Sequence, residues 1–234
     1  MPNLFIDIET IPDIKPELYL DSQRRVESGE LTRNSEEKEL YWLSQRGALN
    51  PLEGKVMLIT YQINDAHIFR LKEWESDEKT ILRKFFDILS DLSYGSSKDR
   101  LHIIGHNILS FDIFFLYNRM IKKEIFEKKF IYQRLISRPM FIDFLQMHLP
   151  LNNFTSRGLK HDVLAHAYQL PTKETQGSGA ITDYFEGNFD KILEYSKKEF
   201  VYPQMYKKIT ENGLISKEKL QESINWYNDT HQIK

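Results

Sequence analysis

The sequence predicts an α/β fold, a mixed sheet with helices packed against it. Three observations carry this expectation. Short apolar runs with strand character stand at residues 3–10, 55–64 and 101–105. An amphipathic helical pattern at 77–92 separates the second run from the third. The C-terminal half reads as helix after helix, so the element order suits a sheet covered by helices.

The first strand, N-L-F-I-D-I-E-T at 3–10, sets Asp7 and Glu9 two residues apart. Side chains alternate along a strand, so both acids project from one side. Like charges held together in a half-buried strand call for a cation, and carboxylate oxygen suits a hard divalent one. The alternative is a strand whose polar face meets water. Pro12 and Pro16 then break the chain, and 18–50 is a mostly polar insertion expected to fold over the sheet edge. Within it, 35–45 has helical spacing, stopped by Gly47 and Pro51.

Residues 55–64 form a strong strand, and Asn64-Asp65 turns it into 66–71 as a hairpin. The helix at 77–92 turns Ile81, Leu82, Phe85, Phe86 and Leu89 inward, and Gly95-Ser96-Ser97 reads as a loop. A short buried strand at 101–105 leads to a helix at 110–120. Further on, 138–145 is a short strand or turn around Asp143, and 158–168 is helical. The loop at 172–179 contains G-S-G, without the strand-turn-helix setting of a nucleotide-binding loop. One long helix is expected at 188–210 and a shorter closing helix at 217–227.

Composition narrows the function classes. With 234 residues, 41% of them hydrophobic, a single domain over 1–234 is expected, with a helical tail after 213. The 32 basic and 34 acidic residues nearly cancel, which argues against a broad electrostatic coat of nucleic acid but leaves room for a local basic groove. Without cysteine, disulfides and thiolate metal sites are excluded. No leader pattern or membrane-length apolar run is present, so a soluble cytoplasmic protein with no membrane partner is expected.

Two more stretches bear chemistry. In G-H-N-I-L-S-F-D-I-F-F at 105–115, Asp112 lies in apolar company that a carboxylate tolerates only when paired or metal-bound. Asn107 follows the strand end, where an amide holds a loop or touches a ligand; capping by Asp112 and a turn at Asn107 would also explain them. In I-L-E-Y-S-K-K-E-F-V-Y-P-Q-M-Y at 192–206, Tyr195 and Glu199 are four apart and share a helix face. They read either as a water-orienting phenol with a metal ligand, or as an ordinary aromatic and a solvated acid. His161 and His166 lack the H-E-x-x-H pattern of a zinc site, no Ser-His-Asp nucleophile turn is present, and Met140, Met147 and Met205 read as core.

Taken in order, D-I-E-T, N-I-L-S-F-D and Y-x-x-x-acid resemble the DEDD superfamily of 3'-5' exonucleases, tyrosine branch. The wording G-H-N-I-L-S-F-D-I is similar to the proofreading domain of family B DNA polymerases. The resemblance covers most of 3–210 and implies a ribonuclease-H-like fold. It implies that Asp7, Glu9, Asp112 and Glu199 hold two divalent cations, Mg2+ or Mn2+, and that Tyr195 positions the attacking water. Such ions, about 3.5–4 Å apart, activate the water and steady the leaving oxygen. Thr10 and Ile11 would contact the terminal nucleotide. Phe111 would stack a base or belong to the core, and Lys197 and Lys198 would meet phosphates or only water. The family has Asp where this chain has Glu199; one extra methylene shifts a ligand by ~1 Å, a displacement worth about a hundredfold in rate. Glu194 stands where the histidine branch has its histidine, which favours the tyrosine branch.

The expectation is a stand-alone exonuclease on single-stranded DNA 3' ends, serving repair or a separate polymerase. An RNA-trimming enzyme and a binding module weakened or silenced at Glu199 are the alternatives.

Overall fold

Five strands make one sheet: β1 (Asn3–Pro12), β2 (Gly54–Ile63), β3 (Phe69–Lys72), β4 (His102–Gly105) and β5 (Met140–Asp143). Their spatial order is β3-β2-β1-β4-β5, so the strand bearing Asp7 and Glu9 lies in the middle. β1 runs antiparallel to β2 and parallel to β4; β2–β3 is an antiparallel hairpin and β4–β5 a parallel pair. This mixed sheet flanked by helices is consistent with a ribonuclease-H-like fold. The computed structural model describes residues 1–93, 100–172 and 178–231. The loop at Gly95-Ser96-Ser97 and most of the loop at 172–179 lie outside the described residues.

Alternation along β1 sorts its side chains into two layers. Leu4, Ile6 and Ile8 enter one core with α3 (Glu78–Leu92) and α4 (Asp112–Lys122), where Phe85, Leu89, Phe115 and Leu116 are fully buried. Asp77 caps α3 by accepting the Thr80 N–H at 2.8 Å. The opposite face carries Phe5, Asp7, Glu9 and Ile11, and here the apolar packing divides. Phe5 joins Phe144, Val163, Val201, Tyr202 and Met205, residues of or beside α6 (Phe144–His148), α7 (His161–Ala167) and α10 (Tyr202–Asn212). Ile11 joins Tyr19, Ala180, Phe185 and Ile192 from α1 (Pro16–Glu27), α8 (Ser178–Phe185) and α9 (Phe189–Glu199). Asp7 and Glu9 fall between the two apolar clusters. The described residues also include the α-helices α2 (Lys38–Arg46), α5 (Lys128–Tyr132) and α11 (Lys217–His231).

The structure corrects three sequence expectations. The single helix at 188–210 is two helices, because Phe200 leaves helical backbone at φ −79°, ψ 70°. Pro203 lies in the first turn of the new helix, where its missing N–H leaves no hydrogen bond unmade. The insertion holds two helices where one was expected: Pro16 begins α1 instead of only breaking the chain. Ser178 and Gly179, expected in a loop, begin α8. Among the described residues, no helix is long and apolar enough to cross a membrane.

A buried ion cluster ties these layers together behind the site. Arg119 of α4 is wholly buried; its Nε and Nη2 donate to Glu78 at 2.7 and 2.6 Å, and its Nη1 donates to the Pro51 carbonyl at 3.0 Å. Glu78 also accepts the Val56 N–H of β2 at 2.9 Å. One carboxylate thereby joins α3, α4 and β2. Removing the guanidinium leaves buried Glu78 only the part-exposed Lys123 ammonium, at 3.2 Å, as counter-charge, so Arg119→Met is expected to lower stability by about 3 kcal/mol in urea unfolding.

Candidate active site

The site begins where β4 ends. The parallel pairing with β1 ends at Ile104, and after Gly105 the chain turns through His106–Phe111 into α4. Gly105 is required by close approach, since a Cβ there would lie 2.7 Å from the Ile6 carbonyl oxygen. Asn107 adopts the left-handed conformation at φ 59°, which asparagine tolerates better than most residues. Asp143, at the end of β5, holds this loop with both oxygens: Oδ1 accepts the Asn107 N–H at 2.8 Å and Oδ2 the Leu109 N–H at 3.0 Å. The same Oδ1 accepts the Leu145 N–H at 3.0 Å and caps α6.

The loop so fixed delivers Asp112 as the first residue of α4. Its Oδ1 accepts the Ile8 N–H of β1 at 3.0 Å, between Asp7 and Glu9 in the chain. Asp112 is buried, and its carboxyl is held well above the ordinary carboxylate range. Burial is the first cause and the negative charge of Asp7 the second; the Ile8 N–H opposes them, and Asp143 adds a smaller upward push. Asp7 is half-buried and accepts a hydrogen bond from the Tyr202 hydroxyl at 2.9 Å. Glu9, also half-buried, follows on the same face of β1.

Helix α9 is fixed over this face by Ile192 in the Ile11 cluster and by a buried contact of 2.8 Å between the hydroxyls of Ser196 and Thr60. Thr60 is the β2 residue paired with Asp7, so the contact registers α9 against the acid pair. Tyr195, beside Ser196, is half-buried against the Ile11 cluster. Glu199 closes α9 one turn later; its side chain lies outside what the structure describes. Lys197 and Lys198 are exposed.

The remaining sequence candidates are placed differently. Thr10 is buried and its hydroxyl donates to the Ala48 carbonyl at 2.6 Å, holding the turn after α2. The Ile11 side chain is wholly inside the core. Asn107 engages Asp143 through its backbone, and Phe111 packs on Phe115 with ring centroids 5.5 Å apart. Sequence reasoning missed the functions of Asp143 and Tyr202. An acid inside the apolar run M-F-I-D-F-L was the available signal for the first; for the second Pro203 marks only the helix break beside Tyr202, not its partner.

Asp7, Glu9 and Asp112 carry only oxygen donors, the kind a hard divalent cation takes, and burial beside Asp7 disfavours Asp112 as an anion. Among the described residues, no three histidine, aspartate or glutamate side chains already converge on a single ion position.

The raised Asp112 value has a stability consequence. A carboxyl that binds its proton more tightly folded than unfolded adds no penalty in strong acid, and its penalty grows as pH rises through the folded value. Asp112→Asn removes that penalty while its amide oxygen still accepts from Ile8. In EDTA at neutral pH the variant is expected to melt about 2–4 °C higher, equivalent to ~1 kcal/mol at this size, and the gain should vanish in acid. Thermal melts of both proteins across pH check it.

No family model matches the chain, and no curated protein does.

Proposed function

We propose that the protein is a divalent-metal-dependent 3'-5' exonuclease acting on single-stranded DNA ends. The observation that carries this reading is the buried Asp112 carboxyl held on the Ile8 N–H at 3.0 Å, between Asp7 and Glu9 in the chain. Two carboxylates in that relation are costly without a cation and useful with one. Asp7, Glu9, Asp112 and Glu199 would hold two ions, Mg2+ or Mn2+, which when bound activate a water and stabilise the leaving 3'-oxygen. Asp112 gives up its proton as positive charge arrives. The Tyr195 hydroxyl orients the attacking water, and Lys197 and Lys198 on the exposed side of α9 receive the strand's phosphates. The setting that fits is cytoplasmic, in repair or beside a separate polymerase.

A second reading, a nucleic-acid-binding module of the same fold, has its own support: the Tyr202 hydroxyl already engages Asp7, and Glu199 replaces the shorter acid. An RNA-trimming enzyme would use the same residues on another sugar.

A 5'-labelled single strand incubated with Mn2+, Mg2+ or EDTA discriminates these readings. The exonuclease should give a metal-dependent ladder shrinking from the 3' end, and Asp7→Asn should reduce product by more than about a hundredfold. Shortening that persists undiminished in Asp7→Asn would refute the assignment. Retained binding without shortening selects the module, and recovery of cutting in Glu199→Asp would locate its lesion. Matched DNA and RNA strands rank the substrates.

A further inference from the structure

Tyr202 begins α10 directly after the break at Phe200–Val201, and its hydroxyl donates to Asp7 Oδ1 at 2.9 Å. The ring is buried and closely surrounded: Phe200 lies 5.4 Å away, Phe144 6.0 Å, and His161 meets it edge-on at 5.4 Å, centroid to centroid. A phenol confined on these sides has little freedom to turn, so its hydrogen bond constrains the Asp7 carboxylate.

His161 is the less expected neighbour. It begins α7 and is only 8% exposed. Neither of its ring nitrogens has a hydrogen-bond partner among the described residues. Asp162 Oδ1 stands 3.6 Å from Nδ1, beyond hydrogen-bond reach. A buried imidazole with both nitrogens unmatched costs stability, and an apolar side chain would fill the place without that cost. Such a cost beside a site is the mark of a residue kept for position.

We propose that Tyr202, backed by the His161 ring, is the positioning residue of the cation site. The phenol holds Asp7 in the orientation of a ligand, and His161 sets where the phenol stands. The proposal rests on the reading of the acid pair as a cation site, and it gives the site a second tyrosine distinct from Tyr195. Ligating carboxylates are held by outer hydrogen bonds, and removing such a partner weakens metal binding about 10–100-fold.

The test measures Mn2+ uptake by electron paramagnetic resonance, alongside melting in EDTA, for native protein, Asp7→Asn, Tyr202→Phe and His161→Leu. Tyr202→Phe should weaken uptake by about 10–100-fold and leave melting nearly unchanged. His161→Leu should weaken uptake while raising the melting temperature. Opposite movement of affinity and stability is what a purely structural residue would not produce. Native uptake that is lost in Asp7→Asn but unchanged in Tyr202→Phe overturns the role of Tyr202 alone. Uptake that falls together with melting temperature in His161→Leu removes His161 from the proposal. A native protein that takes up no Mn2+ overturns both the proposal and the cation reading beneath it.

Discussion

The carboxyls of Asp7 and Asp112 meet at the middle strand of the sheet, where burial and the Asp7 charge hold Asp112 toward its protonated form. A buried carboxyl is expensive as an anion, and a second one beside it adds repulsion. The apolar residues on that face of β1 do not close over the acids: Phe5 packs with one cluster and Ile11 with another, leaving Asp7 and Glu9 between. The helix covering this face breaks at Phe200, where one cluster gives way to the other. An uninterrupted helix would not bring Tyr202 into the first turn of a new one, with its hydroxyl on Asp7.

The acids are held by hydrogen bonds between elements distant in sequence. Asp143 engages two backbone N–H groups of the His106–Phe111 segment and so fixes where α4 begins. The contact between Ser196 and Thr60 registers α9 on the strand position paired with Asp7. Behind the sheet, Glu78 and Arg119 couple α3, α4 and β2, so the helix that carries Asp112 cannot slide without exposing a buried charge pair. Placing the acids on a strand and a helix end, each cross-braced, fixes their positions on rigid elements.

Local periodicity made much of this legible in the sequence. The alternation in N-L-F-I-D-I-E-T put Asp7 and Glu9 on one face, and the apolar setting of Asp112 marked it as an acid needing a partner. The hairpin after β2 and the inward face of α3 followed from the same patterns. What escaped depended on contacts distant in sequence. Tyr202 is 195 residues from Asp7, and nothing in its own stretch announces that partner. The buried state of Thr10 depends on the Ala48 carbonyl, and the function of Asp143 depends on a loop 36 residues earlier. Pro203 was the local sign of the helix break, and the apolar pattern running through 188–210 outweighed it.

If the Asp7–Asp112 pair is a cation site, its protonation and its metal binding exclude one another. Calorimetric titration of Mn2+ into the native protein, in two mildly acidic buffers of different ionisation enthalpy, tests this without reference to any substrate. The account predicts binding accompanied by proton release, with the release lost in Asp112→Asn. Absence of binding, or binding with the same proton release in native protein and variant, would contradict it.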